Sequence, residues 1–499
     1  MYAQAGGIDP DFNGDGFVTM DFGGSDVVQA IALDEDGNIY AAGSAVPGAG
    51  PYRDIAVAKF TPDGVPDPIF GGDGAITTEM GFGYDDQAYA IAIQPDGKIL
   101  VGGSTNNGEA NQMCLVRYRA DGSLDPIFGD GGRLIINFDG SDDAIRSLAV
   151  LGDGSIIAGG YRMEMVTATM FKRNFAVVKC SAEGVLDAGF GDGGKVATPF
   201  SSDRHASGFA MGVQTDGKIV LAGYSYVGTS ANYQVALTRY NSDGSLDITF
   251  DSDGMVLVST GFALGEAYAL QIQLDGKIVI GGIVYAGFDT DFAVMRFNTD
   301  GSLDSAFGAS GLAQATWGTG EEEKAYGLAL QWDGSIVIAG YKGNGSSRQT
   351  ALLRFNADGT PDASFGTDGR VGDDLSPEAD GANAVLIQPD GKFLLGGYYD
   401  NGPDNDFCLM RYLSDPGTTV ADAAYVPFTI LNNPAADLLQ VAVEDQGILS
   451  LYTISGALVM EEAAMPGLFS CALADRTPGM YTLVFQSGSS VYAKQVVIK

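Results

Sequence analysis

Apolar and polar positions alternate along this chain in short bursts. Between residues 88 and 138 the runs "AYAIAIQ", "KILVGG", "MCLVRY" and "GRLIINF" are each closed by turn-forming residues, and none repeats at helical spacing. They predict four short strands, A to D. The pattern then recurs. The phrase "QPDGKILVGG" at 94–103 returns as "QPDGKFLLGG" at 388–397, and the A–B turn glycines of seven such phrases are Gly37, Gly97, Gly154, Gly217, Gly276, Gly334 and Gly391, spaced 60, 57, 63, 59, 58 and 57 residues apart. A second phrase, fullest as "SLDPIFGDGG", places Phe12, Phe70, Phe128, Phe190, Phe250, Phe307 and Phe365 once per unit. A period near 58 residues with four strands and no helix predicts an all-β fold, a seven-bladed β-propeller of four-stranded blades.

Strand A carries a small residue seven positions before each turn glycine, from Ala30 and Ala90 to Ala384, followed by a large apolar one. Such crowding suits the strand nearest the axis. The chain opens with a D strand lacking its A to C, and the array ends with a C lacking its D. Residues 8–22 are therefore expected to complete the last blade as its outer strand, closing the ring and covering an open edge. The A–B and C–D turns keep constant lengths while the B–C and D–A connections vary, which puts the variable loops at one end.

On that end, eleven residues before the turn glycine, stand Asp26, Asp86, Asp143, Glu323 and Asp380, with Ala206 and Gly265 in the other two units. Just after strand B come Tyr161, Tyr224, Tyr341 and Tyr398. Two readings stand. The acids form a ring at the channel mouth that, with the tyrosines, binds a polyhydroxyl ligand or a cation; or each acid caps its own turn and the tyrosines are half-buried packing. The Asp-Gly of the A–B turns is accounted for by turn chemistry.

Composition narrows the function classes. With 27 basic against 63 acidic residues, a net charge of −36, the chain is a poor partner for nucleic acid or anionic membrane. No apolar run reaches the ~18 residues of a transmembrane span. Cys114, Cys180, Cys408 and Cys471 read as buried thiols rather than a disulfide framework. The one histidine, His205, has no nucleophile motif around it, so His-based catalysis is not expected. A carboxylate-based polysaccharide-degrading activity remains an alternative. The stretch "DFNGDG" places Asp11, Asn13 and Asp15 at calcium-loop spacing, but Phe22 stands where the loop's bidentate Glu belongs. No cofactor is expected, with calcium the alternative.

The "PDGKILVGG" and "RYxxDGSLDxxFG" phrases resemble the delta-60 repeat family, over residues 8–415, which implies a propeller but no catalytic residues. After a small and polar linker, 416–426, residues 427–499 resemble the type A sorting domain of the type IX secretion system through "NNPAADLL", "LYTISGALV", "GMYTLVF" and "KQVVIK". That resemblance implies a small Ig-like β-sandwich, type IX machinery as partner, and a secreted or outer-membrane surface location. It departs at "YTISG", where an Asp commonly precedes the glycine turn. Residues 1–7 are read as an N-terminal remnant: "AQA" at 3–5 is either the end of a trimmed secretory leader or a chance triplet. The expected function is non-catalytic binding of a glycan or protein by a monomer, with a structural surface protein as the alternative.

Overall fold

The computed structural model describes residues 5–48, 50–138, 142–167, 170–227, 233–258, 265–273, 275–286, 289–318, 320–331, 333–376 and 378–414, and, toward the C-terminus, 428–430, 438–443, 446–453, 458–472, 479–487 and 490–498. The chain divides into two compact units. The first comprises Met1–Val213, Gly217–Ile272 and Lys277–Pro416; the second comprises Gly417–Lys499 with the short turns Gln214–Asp216 and Gln273–Gly276.

In the first unit the described residues form seven four-stranded antiparallel sheets, propeller blades in the order A-B-C-D. The first is Val27–Leu33, Ile39–Ala45, Asp54–Phe60 and Ala75–Thr78. The seventh takes its A to C strands from Asp380–Ile387, Phe393–Asp400 and Asn405–Tyr412, and its D strand is Phe17–Met20, in the register Phe17↔Met410 to Met20↔Phe407. Each A strand packs on the A strand of the next sheet, and Asp380–Ile387 returns to Val27–Leu33. The seven A–B turn glycines all have φ between 77° and 87°, the left-handed region that their turns require.

Each apolar cluster draws on two consecutive sheets; one unites Val28, Ile39 and Phe60 with Leu394, Phe407 and Leu409. A polar clamp repeats beside it. The penultimate residue of every C strand is Lys or Arg, paired with the Asp of the D-strand phrase: Lys59–Asp67, Arg117–Asp125, Lys179–Asp187, Arg239–Asp247, Arg296–Asp304, Arg354–Asp362 and Arg411–Asp9, all at 2.7–2.9 Å. The five arginines lie 4.5–4.8 Å from the centroid of the repeat Phe, which is fully buried in every unit. They also donate to a carbonyl of the next sheet: Arg296 to Ala357 at 2.7 Å, Arg354 to Ser414 at 2.6 Å and Arg411 to Pro62 at 2.9 Å. A single guanidinium thus joins its own blade to its neighbour through ion pair, stacking and hydrogen bond.

Residues 5–7, set apart from the array by sequence, belong to the closure. Gly366 N–H donates to the carbonyl of Ala5 at 2.9 Å, as Gly308 N–H does to Asp358 at 2.8 Å one blade earlier, and Gly6 N–H donates to Leu413 at 2.8 Å. The "AGG" therefore serves as the seventh C–D turn, a role hidden because it lacks that turn's usual acid. Residues 1–4 lie outside the described residues.

The C-terminal strands Phe428–Ile430, Leu438–Val443 and Gly467–Ala472 form one sheet, and Gly447–Thr453, Leu458–Ala464, Gly479–Ser487 and Ser490–Ile498 another. Leu439, Val441, Leu449, Leu451, Leu483 and Phe485 share one apolar cluster drawn from both sheets. The "GMYTLVF" and "KQVVIK" strands lie in the second sheet, whereas the 416–426 linker, most of "NNPAADLL" and the "SG" turn lie outside the described residues. All four cysteines are buried. Among the described residues no helix is long and apolar enough to cross a membrane.

Candidate functional site

Strand A does not alternate regularly. In all seven sheets its pairing with strand B skips one residue: Gln29, Tyr89, Arg146, Phe209, Tyr268, Tyr326 and Asn383. Such a β-bulge leaves the extra residue unpaired and re-aims its side chain. All seven are half-buried and line one axial cavity of about 570 Å³, together with the small residues that follow them.

The bulge explains the last glycine of each repeated phrase. Gly43, Gly103, Gly160, Gly223, Gly282, Gly340 and Gly397 face the residue just before each bulge, and a Cβ on any of them would stand 1.7–2.0 Å from a strand A carbonyl oxygen. Only a residue without a side chain permits that approach.

Around the cavity the bulged side chains touch in sequence. The Arg146 guanidinium lies 3.9 Å from the Tyr89 ring centroid and 4.9 Å from that of Phe209. Phe209 meets Tyr268 edge to face at 5.1 Å, and Tyr268 meets Tyr326 in the same way at 5.1 Å. The tyrosines expected from sequence stand around this row: Tyr224 stacks on Phe209 at 5.3 Å, Tyr161 lies 6.5 Å from Phe209, and Tyr341 lies 6.2 Å from Tyr326. Tyr398 packs over Gly381, beside Arg348.

The acids expected at the mouth sit elsewhere, and the picture of an open carboxylate ring is corrected. Asp26, Asp86, Asp143, Glu323 and Asp380 are at most 1% exposed, and none lines the cavity. Each accepts backbone N–H groups from its own D–A loop. Asp26 Oδ2 takes Phe22 N–H at 2.7 Å, Asp86 Oδ2 takes Met80 N–H at 2.7 Å, and Asp143 Oδ2 takes Phe138 N–H at 3.4 Å. Glu323 Oε1 takes Trp317 N–H at 2.6 Å. Asp380 takes Leu375 N–H at 2.9 Å, and both the N–H and the hydroxyl of Thr350 at 2.6 Å. These carboxyls organise the variable loops from within.

Burial pushes Asp26 and Glu323 up to about 7 and Asp86 and Asp143 up to about 6, the amide donors pulling only partly back; Asp380 is raised for the same reason. Because the fold holds these protons to higher pH than the unfolded chain, their contribution to stability is full below pH 3.8–4.5 and is lost as pH rises toward 6–7. Asp86→Asn imitates the protonated acid while keeping an oxygen for Met80. We expect the wild type to lose melting temperature between pH 5 and pH 8, and Asp86→Asn to lose less and to melt higher at pH 8. Parallel pH profiles for the two proteins would refute this, since net-charge repulsion acts on both almost equally.

The calcium-loop residues serve their turn. Asn13, at φ 51°, donates its side-chain amide to Phe17 O at 3.2 Å, Asp15 accepts Phe17 N–H at 3.4 Å, and Asp11 N–H donates to Asp9 at 3.2 Å. A different trio, Asp21, Asp26 and Asp406, brings carboxylate oxygens within 4.8 Å of one another where the first and last blades meet. His205 stacks on Tyr226, with centroids 4.7 Å apart.

Segments 35–70, 94–128, 214–250, 273–307, 331–365 and 388–415 match the family described as "Domain of unknown function (DUF5122) beta-propeller". No curated protein matches the chain. Among solved structures, it is similar to the polysaccharide lyase Uly1 (12% identity, TM-score 0.44, covering 78% of this chain and 90% of that one). It is also similar to a thermostable family-43 glycoside hydrolase (14% identity, TM-score 0.32, 57% and 94%). A third is PorZ, a surface component of the type-IX secretion system of Porphyromonas gingivalis (9% identity, TM-score 0.24, 96% and 74%).

Proposed function

We propose that this chain is a closed seven-bladed propeller that binds a glycan without transforming it, at the cell surface or outside the cell. The observation that carries the reading is the convergence of the seven bulged side chains on one axial cavity, four of them aromatic. Aromatic faces supply apolar contact to the C–H face of a sugar ring, while amides such as Gln29 and Asn383 answer its hydroxyls. Among the described residues, the cavity lining contains no Asp or Glu. A carboxylate-based hydrolase needs two such groups facing its substrate, and the recurrent acids of this chain are committed to loop amides. The C-terminal unit, read as a small β-sandwich that directs export by a type IX route, is the delivery device. Its two described sheets meet in one shared apolar cluster, which supports the sandwich.

Calorimetry of the purified chain against neutral and acidic oligosaccharides tests the binding. We expect saturable binding without product release, weakened roughly fivefold or more by Phe209→Ala or Tyr268→Ala, since a ring contact is worth about 1 kcal/mol. Unreduced binding by both variants, or cleavage of a bound glycan, would overturn the reading. Export is followed by fractionating cells that express the chain without residues 427–499; the truncated chain should stay in the periplasm, and normal release would remove the sorting role.

A further inference from the structure

Among the described residues, the axial cavity holds one charged group. Its lining includes Arg146 and no acid, in a chain whose net charge is −36. Charged residues near it have partners of their own. Arg173 pairs with Asp142 and Arg162 with Glu164; Lys324 and Arg348 hold Glu322 at 2.8 and 3.0 Å; Glu266 accepts the hydroxyls of Tyr268 and Tyr285. Arg146 enters no ion pair among the described residues. Its guanidinium is instead fixed by the rings of Tyr89 and Phe209, at 3.9 and 4.9 Å.

Ring contacts engage the faces of a guanidinium and leave its in-plane N–H edge for a planar acceptor, which a carboxylate meets with two parallel hydrogen bonds. The rest of the chain repels anions at long range, so one unmatched cation at the axis decides which anion is admitted. A volume of about 570 Å³ accommodates a short oligosaccharide or a chain end. We propose that the axial site takes a uronate-bearing saccharide, its carboxylate on the edge of Arg146 and its ring against Phe209 and Tyr268. This rests on the glycan-binding reading above and specifies the ligand's charge.

The probes are trigalacturonate, its methyl ester and galactotriose, titrated calorimetrically into the full chain. We expect the free acid to bind about 10-fold to 100-fold more tightly than the ester or the neutral sugar, the range set by hydrogen bonds to a charged group. In Arg146→Gln the acid should fall to the level of the ester. In Arg146→Lys, which keeps charge but loses the fork, it should fall part of the way. A melting curve matching wild type verifies that each variant is folded. Equal binding of acid and ester by the wild type, or a preference that survives Arg146→Gln, overturns the uronate assignment and leaves glycan binding standing. Binding of none of the three probes removes both.

Discussion

Removing residues 1–22 should lower the melting temperature by about 10 °C or more and promote aggregation. The segment supplies the D strand of the seventh sheet, the buried Phe12 and Val18, and Asp9, whose carboxylate lies 2.7 Å from Arg411 and 3.0 Å from Lys392. Loss of Asp9 leaves the buried Arg411 with only the exposed Asp63 carboxylate, at 3.5 Å, an imbalance of about 3 kcal/mol, and loss of Phe12 is of the same order. At ~2–4 °C per kcal/mol for a large domain, these two terms alone account for the expected drop. Strand Asn405–Tyr412 would also become an uncovered edge open to pairing with other chains. Asp9→Asn isolates the clamp from the strand. Burial pushes the Asp9 carboxyl up, but Lys392 and Arg411 outweigh burial and hold it below its ordinary 3.8, so this stabilisation is present above that value and fades as pH falls through the lower folded one. The Asp9→Asn deficit should accordingly be large at pH 7 and shrink in strong acid, opposite in sign to the loop-capping acids. A truncated chain that melts with the full one would show that the ring does not depend on this strand.

Gly103→Ala should be far more damaging than Gly97→Ala, although the two glycines belong to one phrase. At Gly97 a Cβ meets nothing within 4 Å, and the cost is that of φ +77° in a residue with a side chain, about 1 kcal/mol. At Gly103 the Cβ would lie 1.8 Å from the carbonyl oxygen of Gln87, so backbone must move. Repair requires strand A to leave its bulge, which withdraws Tyr89 from the cavity. We expect about 3 kcal/mol or more of destabilisation, at the upper end of overpacking effects, together with weakened ligand binding. Denaturant unfolding of both variants checks the order; equal midpoints would mean that the bulge is not what glycine serves there.

Much of the architecture is local and was therefore legible in the chain. A turn that needs φ > 0 selects Gly wherever it occurs, and a Phe buried once per unit marks the period, so strand number, turn positions and the pairing of residues 8–22 with the last strands follow from spacing alone. The site was not legible in the same way. Residues eleven before the turn glycine look like a carboxylate ring because they share a register, but whether a carboxyl faces water or a loop's amides depends on how the D–A connection folds back over it. Residues eight before the glycine read as Gln, Tyr, Arg, Phe, Tyr, Tyr and Asn, without a common chemistry. They converge because strand A bulges against strand B, and a bulge arises from pairing between strands, outside the period-2 alternation that assigns faces from sequence. The glycine across the bulge was its visible trace, present in every copy, yet its reason lies in the distance from its absent Cβ to a carbonyl on the neighbouring strand. Periodicity and turn chemistry, being properties of adjacent residues, were determined by the sequence itself. Which side chains reach the axis and which acids are sealed inside was decided only when strands distant along the chain were brought within hydrogen-bonding range.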